Sequence, residues 1–217
     1  MSACLAILAK QPERGKVKTR IANVLGHDLA EELCRRALFD TIGLAASIED
    51  VALALSYAPA TAEARRYFEQ AAPTFALIPQ QGTTFGERLT DTFIRLLQTY
   101  SPVVVIGSDS PDLPAAVIAR AFALLHAADA VIGPAEDGGY YLLGLHVMQP
   151  ALFERIDWST NAVLVQTRRR AADVHLKLAE LPTWHDLDTV DDLRALVAPG
   201  APLTREFVAT ITAKGEA

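Results

Sequence analysis

The segment Pro102–Ile106 (P-V-V-V-I) has no polar side chain on either alternating face, and a strand of that kind suits only a sheet covered on both sides. Amphipathic segments flank it: Thr84–Tyr100, with Leu89, Phe93, Leu96 and Leu97 along one side, and Leu113–Ala127. The alternation continues along the chain. Strands are predicted at Ala3–Ala9, Val51–Tyr57, Phe75–Ile78, Ala130–Ile132 and Tyr141–Leu145, and helices at Asp28–Ser47 and Thr61–Ala71. Strands separated by helix-length segments build a mainly parallel sheet with helices on its faces. Ligands of such sheets sit beyond the carboxyl ends of the strands, so the residues that follow strands carry the most information.

A chain of 217 residues suits one domain, here expected to span 1–217 with a peripheral helix at about 203–214. An apolar share of 51% excludes disorder, and two cysteines exclude a disulfide scaffold. Cys4 and Cys34 read as reduced thiols in apolar surroundings. The net charge of −6 argues against a nucleic-acid partner but leaves room for a local anion pocket. No apolar stretch is long enough to span a bilayer, and the N-terminal apolar run lacks the basic flank of a signal peptide, so a cytoplasmic protein is expected.

Three clusters fall after strands, on one rim. The first, positions 9–20 (A-K-Q-P-E-R-G-K-V-K-T-R), places Lys10, Arg14, Lys16, Lys18 and Arg20 in a loop shaped by Pro12 and Gly15. Cations concentrated there suit the phosphates of a nucleotide, although the loop is neither a Walker A nor a G-x-G-x-x-G motif. The second, positions 105–114 (V-I-G-S-D-S-P-D-L-P), sets Asp109 and Asp112 just after the most apolar strand. Mg²⁺ or Mn²⁺ is held by one or two such carboxylates plus substrate oxygens; a helix cap by Asp112 or Ser110 is the plainer alternative. The third, positions 133–145, presents Glu136 and Asp137 before Gly138 and Gly139. Paired glycines let the backbone approach a ligand, and they also make an ordinary turn.

Two further segments bear on the site. Trp158, with Ser159 beside it, offers a flat wall for an acceptor such as a sugar; equally, Ser159 or Thr160 caps a helix starting there. In positions 184–193 (W-H-D-L-D-T-V-D-D-L), Asp186 and Asp188 face one side of an extended segment, Thr189 and Asp192 form a capping pair, and His185 is not assigned a role.

These five motifs, in this order between Cys4 and Val197, resemble a bacterial family labelled GT-A-like nucleotide-diphospho-sugar transferases, some linked to arsenosugar biosynthesis. More distantly the chain is similar to the phospholactate and molybdenum-cofactor guanylyltransferases. The resemblance implies a three-layer α/β/α Rossmann-like fold of GT-A type, with a nucleoside diphosphate at the strand ends. It implies that Asp109 binds metal, that Lys10, Lys18 and Arg20 contact phosphate, and that Asp188 is a second metal-facing residue. The family usually shows Asp-x-Asp, whereas Asp112 lies three residues after Asp109; that departure leaves the metal to Asp109 rather than Asp112 and keeps nucleotidyl transfer as the alternative.

The expected activity is therefore metal-dependent transfer from a nucleotide-activated donor to a small acceptor. Glycosyl transfer is the first reading, nucleotidyl transfer with release of pyrophosphate the second, and a non-catalytic nucleotide-binding module the third. The expected assignments are Lys10, Lys16, Lys18, Arg20, Gly138 and Gly139 for the nucleotide, Asp109 and Asp188 for the metal, Trp158 and Ser159 for the acceptor. Asp137, or else Glu136, is expected to take the acceptor's proton.

Overall fold

A computed structural model of the chain describes residues 1–196 and 199–213. Seven strands, β1 (Cys4–Lys10), β2 (Ala52–Ala58), β3 (Ala76–Pro79), β4 (Val103–Gly107), β5 (Ala130–Pro134), β6 (Tyr140–Leu145) and β7 (Leu178–Glu180), form one sheet in the order β3-β2-β1-β4-β6-β5-β7. Among the described strands, only β6 runs antiparallel to its neighbours, β4 and β5. The α/β fold with a mainly parallel mixed sheet is the one expected.

Both faces of β4 are buried, and its side chains divide by parity. Val104 and Ile106 join Leu5, Ile7 and Leu55 under three helices, α2 (His27–Ala46), α3 (Ala62–Ala71) and α5 (Ala115–Leu125). Val103 and Val105 join Cys4 and Ala6 on the other face, against α4 (Phe85–Leu97) and α6 (Val163–Asp173). This is the three-layer arrangement that an uninterrupted apolar strand demands. A third cluster, Ile21, Leu33, Ala37 and Ile211, joins α1 (Thr19–Leu25) and α7 (Pro202–Ala213) to α2.

The differences from expectation are local. The basic loop ends one turn early, because Thr19 and Arg20 open α1. The helix expected at Trp158 starts at Val163; Ser159 has φ +64°, and the Thr160 hydroxyl accepts from Ala162 N at 3.2 Å. Helix α5 has Pro114 at its N-cap, so neither Ser110 nor Asp112 caps it. The edge strand β7 was not expected: it is three residues long and pairs only with β5. The C-terminal helix begins at Pro202, and position 214 lies outside the described residues.

The order of strands places the site. From β1 the sheet grows one way to β2 and β3, and the other way to β4, so the ends of β1 and β4 flank the crevice where the connection changes direction.

Helix α7 docks through one buried carboxylate. Asp40 of α2, 7% exposed, accepts from Leu203 N (3.1 Å), Thr204 N (2.8 Å) and Thr204 Oγ1 (2.6 Å), satisfying donors at the helix start. Asp40→Ala leaves these donors unpaired and should lower stability by about 2 kcal/mol in urea denaturation. No loss would mean that apolar contacts alone seat α7.

Candidate active site

At the switch between β1 and β4, the Lys18 side chain is 4% exposed and its ammonium sits between two carboxylates. It donates to Asp109 Oδ1 and, at 3.1 Å, to Asp188 Oδ1. One partner comes from the end of β4, the other from the return segment 184–188 that follows β7. Asp109 follows β4. Asp188 is held beside it because Leu187 N donates to Asp109 O at 2.7 Å. Lys18 stands at the N-cap of α1 with φ +44°, and its carbonyl accepts from Ala22 N at 2.8 Å. Burial alone would favour a neutral amine, but Asp109 and then Asp188 outweigh it and raise the Lys18 pKa.

The contact lies on a cleft of about 860 Å³. Lys10, Lys16, Lys18, Arg20, Asp109 and Asp188 all line it, so the structure brings together the expected cations and the two expected metal-facing carboxylates. The remaining charges of the loop are arranged less freely. Lys10 Nζ donates to Lys16 O at 2.8 Å, Lys16 Nζ pairs with Glu13 at 2.6 Å, and Arg14 pairs with Asp28. Among the described residues, Arg20 has no ion-pair partner.

Asp186 was not assigned, yet it belongs to this corner. It accepts from Ser110 Oγ at 2.6 Å. Burial, the largest cause, pushes its pKa up to about 6 against that hydrogen bond, and the negative charges of Asp109, Asp137 and Asp188 push the same way. Asp186 thus adds a third carboxylate beside Asp109 and Asp188, the two that contact the ammonium.

Asp112 points elsewhere. Its side chain is fully buried and accepts from Trp184 Nε1 at 3.1 Å and His185 Nε2 at 3.0 Å, while the two rings stack 5.2 Å apart. It thus anchors the return segment rather than capping α5 or facing the cleft. Asp192 Oδ2 accepts from Thr189 N at 2.6 Å, the expected capping pair.

The residues expected after β5 do not line the cleft. Asp137 Oδ1 accepts from Gly139 N at 2.7 Å in a tight turn, and exposed Glu136 uses its backbone N–H on Trp184 O. Gly138, with φ +90°, has its absent Cβ within 2.3 Å of Asn161 O. Its lack of a side chain answers to packing against the start of α6, not to a ligand path. Trp158 lies over Gly86, with Phe85 and Tyr140 at 5.6 and 6.4 Å. It lines a separate recess of about 400 Å³ with Thr84, Thr90, Ile94 and Phe153; Ser159 is exposed and touches neither space.

Gln80, Phe85 and Arg88 also line the main cleft without having been singled out, and Cys34, read only as a reduced thiol, joins them. Gln80 Nε2 donates to Ala9 O and Ser56 O, tying the end of β3 to β1 and β2. A legible signal did exist nearby, since Thr84 and Glu87 form a capping box that opens α4.

A divalent cation fits this corner: two half-exposed carboxylates converge on one point already chosen by a positive charge. Among the described residues no group of three metal-ligating side chains exists, so a cation here draws its other ligands from water or substrate.

The model of a family described as "Uncharacterized protein conserved in bacteria (DUF2064)" matches residues 41–160. The chain is similar to the crystal structure of a candidate nucleotide-diphospho-sugar transferase from Desulfovibrio desulfuricans G20, with 33% identity, a TM-score of 0.91, and coverage of 98% of this chain and 96% of that one. It shares the fold, at 15% identity and a TM-score of 0.58, with a 4-diphosphocytidyl-2C-methyl-D-erythritol synthase, covering 94% and 99% of the two chains. It shares it also with Rv0371c of Mycobacterium tuberculosis H37Rv in complex with manganese, at 15% identity and a TM-score of 0.56, covering 92% and 100%. Among proteins with curated descriptions, none matches this chain.

The carboxylate corner has a measurable cost. Asp186 binds its proton more tightly when folded (about 6) than in its ordinary state (3.8), so it destabilises the fold as pH rises from about 4 through 6, and fully above that. Asp186→Asn keeps an acceptor for Ser110 and removes the charge. It should raise unfolding free energy by about 2–3 kcal/mol at pH 8, the gain fading toward pH 4. An equal gain at both pH values would contradict the account.

Proposed function

We propose that this chain, which belongs to the DUF2064 family, is a transferase that binds a nucleotide-activated donor in the main cleft and moves a sugar from it to a small acceptor. The observation that carries this reading is the convergence of Lys18, Asp109 and Asp188 on a cleft whose other wall is the basic loop. A nucleoside diphosphate presents two needs there: neutralisation of its phosphates and a hard cation between them. Lys10, Lys16 and Arg20 would supply the first, and Asp109 with Asp188 would hold the second. A divalent cation, Mg²⁺ or Mn²⁺, would supply charge stabilisation to the leaving diphosphate; manganese in a protein of the same fold supports this.

The acceptor enters from the side of Asp137. That carboxylate is exposed, and it is close enough to Asp186 to affect its protonation. Asp137 is the base we assign to the acceptor hydroxyl, and Asp186 is the next carboxylate inward. Trp158 lines its own recess and meets the wall of the main cleft through Phe85, whose ring centre is 5.6 Å away. No described helix is long and apolar enough to cross a membrane, and we place the reaction in the cytoplasm, on small molecules rather than nucleic acid.

Nucleotidyl transfer is the alternative, and one of the proteins of the same fold is a diphosphocytidyl-methylerythritol synthase. The leaving group decides. Sugar transfer releases a nucleoside diphosphate, and nucleotidyl transfer releases pyrophosphate. Donor turnover followed by phosphorus NMR should show nucleoside diphosphate, dependent on a divalent cation, and turnover in Asp109→Asn should fall by about 10²-fold or more. Stoichiometric pyrophosphate from a nucleoside triphosphate would replace the first reading with the second.

A further inference from the structure

We propose that the Lys18 ammonium is an internal stand-in for the divalent cation, so that metal and Lys18 exclude each other between Asp109 and Asp188, and the nucleotide's diphosphate couples their exchange. The inference rests on the reading above, that this corner takes a cation together with a diphosphate. It adds that metal affinity and binding order are set by Lys18 as a positioning residue.

The geometry is specific to this one lysine. Its ammonium already contacts both carboxylates that the cation needs, and its side chain is 4% exposed while theirs are 55% and 45% exposed. The other cations of the loop do not compete for that position: Lys10 Nζ is on Lys16 O, Lys16 is on Glu13, and Arg14 is on Asp28. A metal ion bound to the same oxygens would stand within contact distance of the ammonium, and like charges at that separation in a half-buried corner repel strongly. One of the two must leave.

Lys18 can leave by side-chain rotation alone. Its backbone is pinned at the start of α1, where its carbonyl accepts from Ala22 N. The four-carbon stem carries the ammonium away from the carboxylates and into the cleft, whose wall includes Lys10, Lys16 and Arg20. Without an anion in the cleft, the displaced charge joins Lys10, Lys16 and Arg20, and the carboxylate on that wall, Glu13, is already paired with Lys16. With a diphosphate bound, it finds phosphate oxygens. Bare metal is therefore resisted and the metal–diphosphate complex is accepted. By linkage, each ligand then strengthens the other by the same factor.

The test is Mn²⁺ affinity, read from the electron paramagnetic resonance of free Mn²⁺, for the parent, Lys18→Met and Lys18→Gln, with and without UDP or GDP. Without nucleotide, both variants should bind Mn²⁺ about tenfold tighter than the parent. The diphosphate should strengthen Mn²⁺ binding about tenfold or more in the parent, and distinctly less in the variants. Variant affinity equal to or weaker than the parent's would overturn the inference, as would an unchanged diphosphate effect. If the parent binds no Mn²⁺ even with a diphosphate, the cation–diphosphate reading falls and this inference with it. A readout on the parent alone covers any failure of the variants to fold: reductive methylation of native protein, mapped by mass spectrometry. Lys18 should be protected in chelator and become reactive with saturating Mn²⁺ and no nucleotide. Protection unchanged by bound Mn²⁺ would likewise overturn the exchange.

Discussion

The ammonium of Lys18 joins parts of the chain that are 91 and 170 residues apart, and the layout of the site depends on that contact. A buried charge is costly to desolvate, so Lys18 remains charged only because two carboxylates flank it. The reciprocal holds: Asp109 and Asp188, side by side, would repel without a cation between them. The start of α1, the loop after β4 and the return segment at 184–188 are thereby drawn to one point. That point is the switch in strand order, where a parallel sheet leaves a crevice open. Fold and electrostatics therefore select the same place.

Around this contact the carboxylates are graded by environment. Asp112, fully buried, is committed to Trp184 and His185 and holds the return segment in place. Asp186, one layer out, keeps its proton to about pH 6 because burial and three like charges disfavour ionisation. Asp109 and Asp188 share Lys18, and Asp137 is exposed beyond them. A site with more negative than positive charge at one end and a basic loop at the other is suited to a ligand with both polarities. A diphosphate carrying a divalent cation is such a ligand.

Much of this was legible in the sequence because the informative residues follow strands. The apolar run at 102–106 specified a two-sided sheet, which located the ends of β1 and β4 and hence Lys10–Lys18 and Asp109. The assignment of Asp188 came through family resemblance, and the structure sets it opposite Lys18. Other roles were not legible, for physical reasons. That Lys18 pairs with carboxylates is a tertiary fact, invisible in a run of alternating lysines. Gly138 looked like a ligand-facing glycine, but the approach it permits is that of Asn161. Trp158 looked available, but Gly86 lets helix α4 pass beneath it. The Thr84–Glu87 capping box marked the start of α4, but not that Gln80 and Arg88 reach the cleft, which follows from β3 lying two strands from β1.

The central claim is that Asp109 and Asp188 hold a divalent cation jointly with a nucleotide's diphosphate. The most direct measurement is an anomalous difference map from crystals grown with Mn²⁺ and a nucleoside diphosphate. The account predicts one strong peak at coordination distance, about 2.0–2.3 Å, from carboxylate oxygens of both residues and from phosphate oxygens. A diphosphate bound in the cleft with no peak at that point, and with Lys18 still between the two carboxylates, would contradict it.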